Sequence, residues 1–395
     1  MTKLSILLLV ASLLFGCKSQ HSKTEQTTET QEKWSIKMAD AVMTRYDTLA
    51  YYNNRTSVGW SYDVAMLGMA INQMGNIDKK YSSYLKTYMD MFVDENGQIP
   101  KYNLSAYNID NINPAKNLLI LYRQTGEEKY AKAIPQFIQQ MEEHPKTESG
   151  GYWHKKRYPY QIWLDGVYMG MPFLTMYAHD FNQPQWFDVA THEIKLVYEK
   201  TLDPATGLLF HAWDESREQR WANPETGLSP HFWSRAMGWY VMAIVDVLDD
   251  LPAAHPDHAE LISILQKTID ALLKVRDPKT GCWYQVLDQG DRAGNYLEGS
   301  GTAMYIYAMA KGAKKDYLDK KYFTIAEQAF NDMVKEFIII DEDGLPSMIQ
   351  ICASCGLGGN PYRDGSYEYY TTEKINKNDT KGVGPFILAA TALDR

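Results

Sequence analysis

The sequence is poor in cysteine, and its amino-terminal hydrophobic run is too short to cross a membrane. Four cysteines occur among 395 residues, and the pair in ICASCG, Cys352 and Cys355, has no second Cys or His pair of matching spacing. We therefore interpret Cys282, Cys352 and Cys355 as structural, with a local disulfide as the alternative, and expect no metal site. The apolar run from Leu4 to Phe15 is shorter than the ~20 residues of a membrane-spanning helix.

Basic runs are also scarce. The formal net charge is −9, and an acidic chain without clustered lysine and arginine is a poor ligand for nucleic acid. An anionic substrate would therefore have to be neutralised locally, by one or two basic side chains. The hydrophobic content of 45% is ample for a large folded core.

The amino terminus predicts export. An early lysine, the short apolar run and a small residue before Cys17 are typical of an export signal, and LFGC resembles the cleavage box of bacterial lipoproteins. Cys17 would then be the lipidated first residue, and an ordinary secretory signal is the alternative. The polar stretch that follows is typical of a flexible tether. We expect a lipoprotein anchored in the periplasm or at the cell surface of a Gram-negative bacterium, with a signal peptide at 1–16, a tether at 17–33 and one folded domain at 34–395.

An acidic turn recurs along the chain and contains a glycine each time. The glycines are 54 to 74 residues apart, at Gly97, Gly151, Gly207, Gly281 and Gly344. Segments between them have apolar residues at helical spacing, as in NPAKNLLILYRQTGEEKYAKAIPQFIQQME. With helices from about Trp34 and a last helix from Pro385 to Leu393, this pattern predicts about six helical hairpins. Six hairpins that close into a ring form an all-α (α/α)6 barrel, and an open solenoid is the alternative.

Two carboxylates lie near predicted helix starts. Asp110 precedes the pair Asn113-Pro114, which predicts a capped helix start, and a solvated loop acid is its simpler interpretation. Asp165 lies among apolar residues in QIWLDGVYMGMPF, where desolvation would favour the protonated form that a proton donor needs. Pro172 indicates that a helix begins or bends nearby. Acids at corresponding points of neighbouring repeats would share one mouth of the barrel.

Histidines and aromatic residues suggest the rest of a site. His154 and His211 both follow repeat turns, so they would face one cavity, although a lone histidine beside aromatics is more often a packed residue. Trp233, Arg235 and Trp239 lie in SPHFWSRAMGWYVMAIVDVL, which is either an aromatic core helix or a stacking platform for a sugar beside a guanidinium. Ten tryptophans and 28 tyrosines favour carbohydrate as the ligand.

Several motifs in order resemble a known family. WHKKRYPYQIWLDGVYMGMPF, FHAWD, FWSRAMGWYVMAIVDVL, GSGTAMYIYAMAKG and KGVGPFILAATAL resemble the unsaturated rhamnogalacturonyl hydrolases of glycoside hydrolase family 105, among them the unsaturated rhamnoglycuronyl hydrolases of ulvan degradation. The likeness extends from about Trp60 to the end of the chain. It implies an (α/α)6 barrel that removes the 4,5-unsaturated uronic acid from the non-reducing end of oligosaccharides produced by polysaccharide lyases.

The resemblance also implies the mechanism and the roles of individual residues. Asp165, in the WLDG motif, would protonate carbon 4 of the enol ether and activate water for addition at carbon 5. Asp110 takes the position of the second acid. The chemistry requires no metal or organic cofactor. The substrate-binding positions implied are Trp60, His154, His211, Trp233, Arg235 and Trp239.

Substrate recognition is the least determined part of this prediction. Met237 replaces a small polar residue of the family pattern. The basic run Lys155-Lys156-Arg157 either contacts a second anionic group, such as sulfate on the adjoining rhamnose, or is a solvated loop. The expected substrates derive from rhamnogalacturonan or from sulfated ulvan. The alternatives are a glycan-binding lipoprotein without activity, and a lyase or epimerase that uses a histidine as proton carrier.

Overall fold

Fourteen α-helices make up about half of the part of the chain that the structure describes. The computed structural model describes residues 33–394, together with Met1. The helices are α1 Trp34–Arg45, α2 Tyr62–Asn72, α3 Lys79–Met89, α4 Ala115–Thr125, α5 Glu128–Ala133, α6 Pro135–Glu143, α7 Leu164–Asp180, α8 Gln185–Thr201, α9 Ser234–Asp250, α10 His258–Lys274, α11 Gly299–Lys314, α12 Lys321–Phe337, α13 Tyr367–Thr372 and α14 Thr380–Leu393.

Six of these helices form an inner ring. Helix α2 packs against α14, α14 against α11, α11 against α9, α9 against α7 and α7 against α4. Asn117 of α4 closes the ring, because its Nδ2 donates to the carbonyl of Ala65 in α2 at 3.0 Å. Helices α1, α3, α5 with α6, α8, α10 and α12 lie outside this ring. The predicted (α/α)6 barrel is confirmed, and the alternative of an open solenoid is wrong.

The two rings differ in their burial, as their sequences require. In α9 almost every residue from Ser234 to Leu248 is buried, which is the pattern of a helix surrounded by protein. In α10 the buried residues recur at helical spacing along one face, from Leu261 to Leu272, which is the pattern of an outer helix. The apolar core therefore lies inside the inner ring and between the two rings.

Short antiparallel strand pairs occur in the loops. They are β1 Gln161–Trp163 with β2 Ala212–Asp214, β3 Ile338–Ile340 with β4 Pro346–Met348, and β5 Ile351–Cys352 with β6 Ile375–Asn376. In the first pair Trp163 lies opposite Ala212. Because β1 runs directly into α7 and His211 directly precedes β2, this pairing brings His211 to the first turn of α7.

Two local predictions need correction, and in one repeat turn the neighbouring glycine takes the left-handed conformation. Asn113 does not cap α4, since its Nδ2 donates instead to the carbonyl of Tyr168 at 3.4 Å. Helix α14 begins at Thr380 rather than at Pro385, because the side chain of Asp379 accepts a hydrogen bond from the Lys381 amide and caps an earlier start. In the second repeat turn Gly150, with φ of +93°, takes the left-handed conformation and Gly151 does not.

Some sequence predictions fall on residues without a described structure. The expected signal peptide, the lipidation site Cys17 and the expected tether lie outside the described residues, apart from Met1 and Lys33. Within 33–394, no helix combines the length and the apolar character needed to span a membrane. Cys282, Cys352 and Cys355 are free thiols, and in the described part of the chain no three His, Cys, Asp or Glu side chains are grouped to hold a metal.

Candidate active site

The starts of the inner helices meet at one mouth of the barrel. Asp165 lies in the first turn of α7, and Asp110 lies in the 3-10 turn Ile109–Asn111 that precedes α4. The α2 and α14 starts are joined by Thr380 Oγ1, which donates to Asp63 at 2.6 Å. Loops and first turns at this mouth therefore carry the acids and histidines of the candidate site.

Two aspartate–histidine pairs lie in the mouth. His211 Nε2 is 3.3 Å from Asp165 Oδ2, and His154 Nε2 is 3.4 Å from Asp110 Oδ1. Both histidines are buried, whereas each carboxylate side chain is 15% exposed. Although the first pair is close, neither Asp165 Oδ2 nor His211 Nε2 makes a hydrogen bond among the described residues. Both atoms are buried and face each other, so each retains a hydrogen-bonding capacity that the described residues do not satisfy.

Backbone hydrogen bonds hold the loops that carry the two pairs. The Leu164 amide donates to the His211 carbonyl at 3.1 Å, which fixes His211 beside the start of α7. The Ile109 amide donates to the His154 carbonyl at 3.3 Å, and the His154 amide donates to the Gln161 carbonyl at 2.7 Å. The loops of the site are thus positioned by β1 and β2 and by one turn.

Asp110 is held in its ionised form. Burial alone would raise the pKa of Asp110, but the neighbouring Lys155 and His154 outweigh it and the pKa lies below the ordinary value. Lys155 Nζ donates to Asp110 Oδ2 at 2.5 Å. Lys155, the first residue of the basic run, is therefore the partner of a site carboxylate rather than a solvated loop residue. Lys156 and Arg157 are exposed.

Asp165 is only partly exposed at the start of a helix whose neighbouring residues are buried. Leu164 and the residues from Gly166 to Met176 are all buried in α7, yet the Asp165 side chain points to the mouth and faces His211. Successive helical residues point about 100° apart, so residues adjacent in sequence line different sides of the helix. The expectation of apolar surroundings for this carboxylate stays a prediction: the side chain is 15% exposed and its Oδ2 is buried.

The tryptophans at the predicted binding positions are packed. Trp233 is 2% exposed and Trp239 is 1% exposed, and the Trp239 ring lies 4.9 Å from that of Tyr168 in a stacked arrangement. Both residues therefore belong to an aromatic core helix, which was the alternative to a stacking platform for a sugar. Trp60 is half-buried, and its Nε1 donates to the carbonyl of Asn111 at 2.8 Å, so it supports the turn that contains Asp110.

Arg235 is a buried cation with one unpaired group. It is 1% exposed, and its Nη1 donates to the Cys352 carbonyl at 2.6 Å and to Ser300 Oγ at 3.3 Å. Its Nη2 has no hydrogen-bond partner in the described part of the chain. A buried guanidinium with a free N–H group is suited to binding an anionic ligand atom. Met237 is fully buried in the core and does not line the mouth.

Sequence reasoning missed several tyrosines and one tryptophan at the site. Tyr370 OH lies 2.7 Å from His211 Nδ1 and orients that ring. Trp163 stacks on both His154 and Tyr158, with ring centroids 4.5 and 5.1 Å away. Tyr62, at the start of α2, has its pKa raised well above the ordinary value, first by burial and then by charges that include Asp110 and Asp165.

Of these missed residues, only Tyr62 and Trp163 occupy positions from which the sequence could have predicted a place in the site. Tyr62 begins an inner helix, as Asp165 does within one residue, and Trp163 immediately precedes the WLDG aspartate helix. Tyr370 comes from α13, a short helix outside the repeat pattern, and no periodicity connects it with His211. Its place in the site follows from the folding of the last long loop onto the mouth.

His144, which contacts the carbonyl of Trp153 next to His154, is expected to make the folded state less stable at acid pH. Burial lowers the pKa of His144 to about 4, and its Nε2 lies 2.7 Å from the Trp153 carbonyl. Between pH 6.5 and pH 4 the unfolded chain binds a proton at His144 that the folded chain does not, so the folded state loses stability as the pH falls. Each pKa unit corresponds to about 1.4 kcal/mol.

The variant His144→Gln tests this dependence. Between pH 7 and pH 4.5 the free energy of unfolding of the wild type should fall by about 1–3 kcal/mol more than that of the variant. Urea unfolding at both pH values measures this shift. His179→Gln, which removes a histidine whose side chain is 61% exposed, is the control. Equal shifts in the two variants would contradict a buried, neutral His144.

A ring of helical hairpins with paired acids and histidines at one mouth is an α/α-barrel enzyme architecture suited to carbohydrate chemistry. The family model described as Glycosyl Hydrolase Family 88 matches residues 34–395. The chain belongs to this group of glycoside hydrolases, and the resemblance to family 105 is confirmed. It is a glycosidase, which places it among the enzymes of polysaccharide degradation.

Individual relatives agree with this assignment. A family 105 glycoside hydrolase of C. acetobutylicum ATCC 824 is 44% identical, with a TM-score of 0.88 over 92% of this chain and 99% of that chain. The unsaturated rhamnogalacturonyl hydrolase YesR of Bacillus subtilis is 24% identical over 70% of this chain and 76% of its own length. The unsaturated 3S-rhamnoglycuronyl hydrolase of Formosa agariphila is 25% identical over 58% of this chain and 56% of its own length.

Proposed function

We propose that this glycosidase removes a 4,5-unsaturated uronic acid from the non-reducing end of lyase-generated oligosaccharides. The observation that carries the proposal is the difference between the two carboxylates of the mouth. Asp110 is paired with Lys155 at 2.5 Å, whereas Asp165 Oδ2 has no hydrogen-bond partner among the described residues. One acid is therefore held as an anion and the other is free to exchange a proton with a ligand.

In the proposed reaction Asp165 is the proton donor and then the base. It protonates carbon 4 of the enol ether, and as a carboxylate it removes a proton from the water that adds to carbon 5. The hemiketal at carbon 5 opens to a ketone by breaking its bond to the ring oxygen. Carbon 1 is left as a hemiacetal, which expels the neighbouring sugar as an alcohol. One water is consumed and no redox change occurs.

The surrounding groups would hold the substrate and the charges. His211, oriented by Tyr370, lies 3.3 Å from Asp165 Oδ2, where it can bind the same water or a sugar hydroxyl. The free Nη2 of Arg235 and the ion pair of Asp110 with Lys155 are suited to the carboxylate and the hydroxyl groups of the uronic acid. We assign Asp110 to substrate binding and orientation, because an ionised acid does not donate a proton.

Rhamnose is proposed as the sugar released. The named relatives from Bacillus subtilis and Formosa agariphila support rhamnogalacturonan and ulvan as the two candidate sources. Lyase products of both polymers share the unsaturated ring, since the double bond removes the difference between galacturonate and glucuronate at carbon 4. Discrimination between them would therefore depend on the leaving sugar and its sulfate.

The ultraviolet absorbance of the double bond provides the test. Unsaturated galacturonyl-rhamnose and unsaturated uronyl-rhamnose 3-sulfate are incubated separately with the protein, and absorbance is followed with time. We expect loss of absorbance on at least one of them, with a new free rhamnose. Persistent absorbance on both would contradict the proposal: binding without turnover would indicate a glycan-binding protein, and rising absorbance on intact polymer would indicate a lyase.

We further propose export and membrane anchoring through Cys17. The support is the sequence alone, LFGC after a short apolar run. Expression of the full chain with a radioactive fatty acid should label the wild type, and Cys17→Ser should abolish the label. Labelling of the variant at the wild-type level would show that Cys17 is not the lipidated residue.

A further inference from the structure

A cavity lies beside the mouth. Its volume is about 790 Å³, and its lining includes Arg157, Tyr158, Gln161, Arg363, Tyr369 and Glu373. A cavity of this size is in the range of small-molecule sites, which is about 300–1,000 Å³. Neither Asp110 nor Asp165 lines it. It adjoins them through Tyr158, whose ring is 5.1 Å from that of Trp163, the ring that also stacks on His154.

Arg363 is fixed in this cavity by neutral acceptors. Its Nε donates to the Gly358 carbonyl at 2.8 Å, and its Nη2 donates to Tyr158 OH at 2.8 Å and to the Leu357 carbonyl at 3.1 Å. A Cβ at Gly356 would lie 2.8 Å from Arg363 Cζ, so the loop leaves room for the guanidinium only because this residue is glycine. The orientation of the cation is therefore set before any ligand binds.

The positive charge of Arg363 is not neutralised by an ion pair. Within 33–394, no carboxylate lies within 4 Å of its nitrogens, and the same holds for Arg157. Arg157 is exposed, and its Cζ lies 4.9 Å from the ring centroid of Tyr158. Glu373 is the one acid that lines the cavity. Two arginines against one glutamate leave the lining with a net positive charge.

We propose that this cavity, the arginine cavity, binds an anionic group on a sugar of the leaving-group side. The inference rests on the proposed function and deepens it. The unsaturated uronic acid is the terminal sugar of its substrate, so any further sugar extends from the leaving-group side. Guanidinium groups bind carboxylate and sulfate oxygens through paired hydrogen bonds. The ligand is a sulfate ester on the adjoining sugar or the carboxylate of a second uronic acid.

Three substrates separate these ligands: an unsulfated unsaturated disaccharide, its 3-sulfate, and an unsaturated tetrasaccharide that contains a second uronate. Arg157→Gln should raise KM about tenfold for the substrate whose anion occupies the cavity, since one charge-assisted hydrogen bond is lost. The effect on kcat should be small, and the unsulfated disaccharide should change least. An increase for the sulfated disaccharide identifies sulfate, and an increase for the tetrasaccharide identifies a second uronate.

The control is a matched arginine elsewhere. Arg292 Cζ lies 3.6 Å from the ring centroid of Tyr367, as Arg157 lies over Tyr158, but Arg292 does not line the cavity. Arg292→Gln should leave all three KM values unchanged. The proposal is overturned if Arg157→Gln raises KM equally for all three substrates, or for neither anionic substrate.

A binding measurement keeps this proposal separate from the proposed function. Calorimetry with Asp165→Asn measures the affinity for the tetrasaccharide and the sulfated disaccharide without turnover. Adding Arg363→Lys to the Asp165→Asn variant keeps the positive charge but removes the paired N–H donors of the guanidinium. It should weaken binding of the anionic ligand about tenfold. If the wild type fails to consume any unsaturated disaccharide, the proposed function fails, whereas equal affinities with and without Arg363→Lys overturn the arginine cavity alone.

Discussion

Asp165→Asn is expected to lower kcat by about 10²–10⁴-fold, the usual contribution of a general acid and base. Asparagine has the same shape as aspartate but neither protonates carbon 4 nor takes a proton from water. The fold should be unaffected, because Asp165 Oδ2 makes no hydrogen bond among the described residues and the side chain is 15% exposed. Steady-state kinetics on the better disaccharide, with circular dichroism of the variant, measures both expectations.

A matched aspartate provides the control for this substitution. Asp188 also lies in the first turn of a 17-residue helix, and its Oδ1 lies 3.2 Å from His255 Nε2, but it belongs to the outer ring. Asp188→Asn should retain the wild-type kcat. Near-normal activity of Asp165→Asn would show that another group donates the proton.

Asp110→Asn is expected to lower kcat/KM by about 10²-fold. The substitution removes an anion that orients the sugar, and it leaves the Lys155 ammonium without its partner at 2.5 Å in a largely buried position. Loss of the ion pair should also lower the free energy of unfolding, by about 1–3 kcal/mol. Kinetics on one disaccharide and urea unfolding measure the two effects.

Comparison with Lys155→Gln separates the two roles of Asp110. If Asp110 acts only through its ion pair with Lys155, the single variants and the double variant will show the same loss of kcat/KM. We expect a larger loss in Asp110→Asn than in Lys155→Gln, because His154 Nε2 also lies 3.4 Å from this carboxylate. An unchanged kcat/KM in Asp110→Asn would remove this acid from the site.

The fold was predictable from the sequence because each repeat has its own short-range sequence pattern. Helical spacing of apolar residues and recurring glycine turns are short-range signals, and they identified the six hairpins. Helix ends were less predictable, since they depend on single hydrogen bonds. The cap that Asp379 forms on the Lys381 amide, for example, competes with the start signal of Pro385.

The candidate site was predictable in its acids and histidines but not in its surroundings. Asp165 and His211 lie in recognisable motifs, and the pairing of β1 with β2 brings them together. Tyr370 reaches His211 from a distant loop, which no sequence spacing predicts. The burial of Trp239 against Tyr168 likewise depends on contacts between helices, so its sequence pattern alone fitted a core residue and a sugar platform equally well.

The common mouth of the inner helices has an electrostatic consequence. The aligned peptide dipoles of a helix place about half a positive charge at its amino-terminal end, and six inner helices direct that end to the site. A chain of net charge −9 would repel a uronate over most of its surface, yet its backbone attracts the same anion at the mouth. Capture of the sugar is thus steered by the fold itself, in a field that added salt will screen.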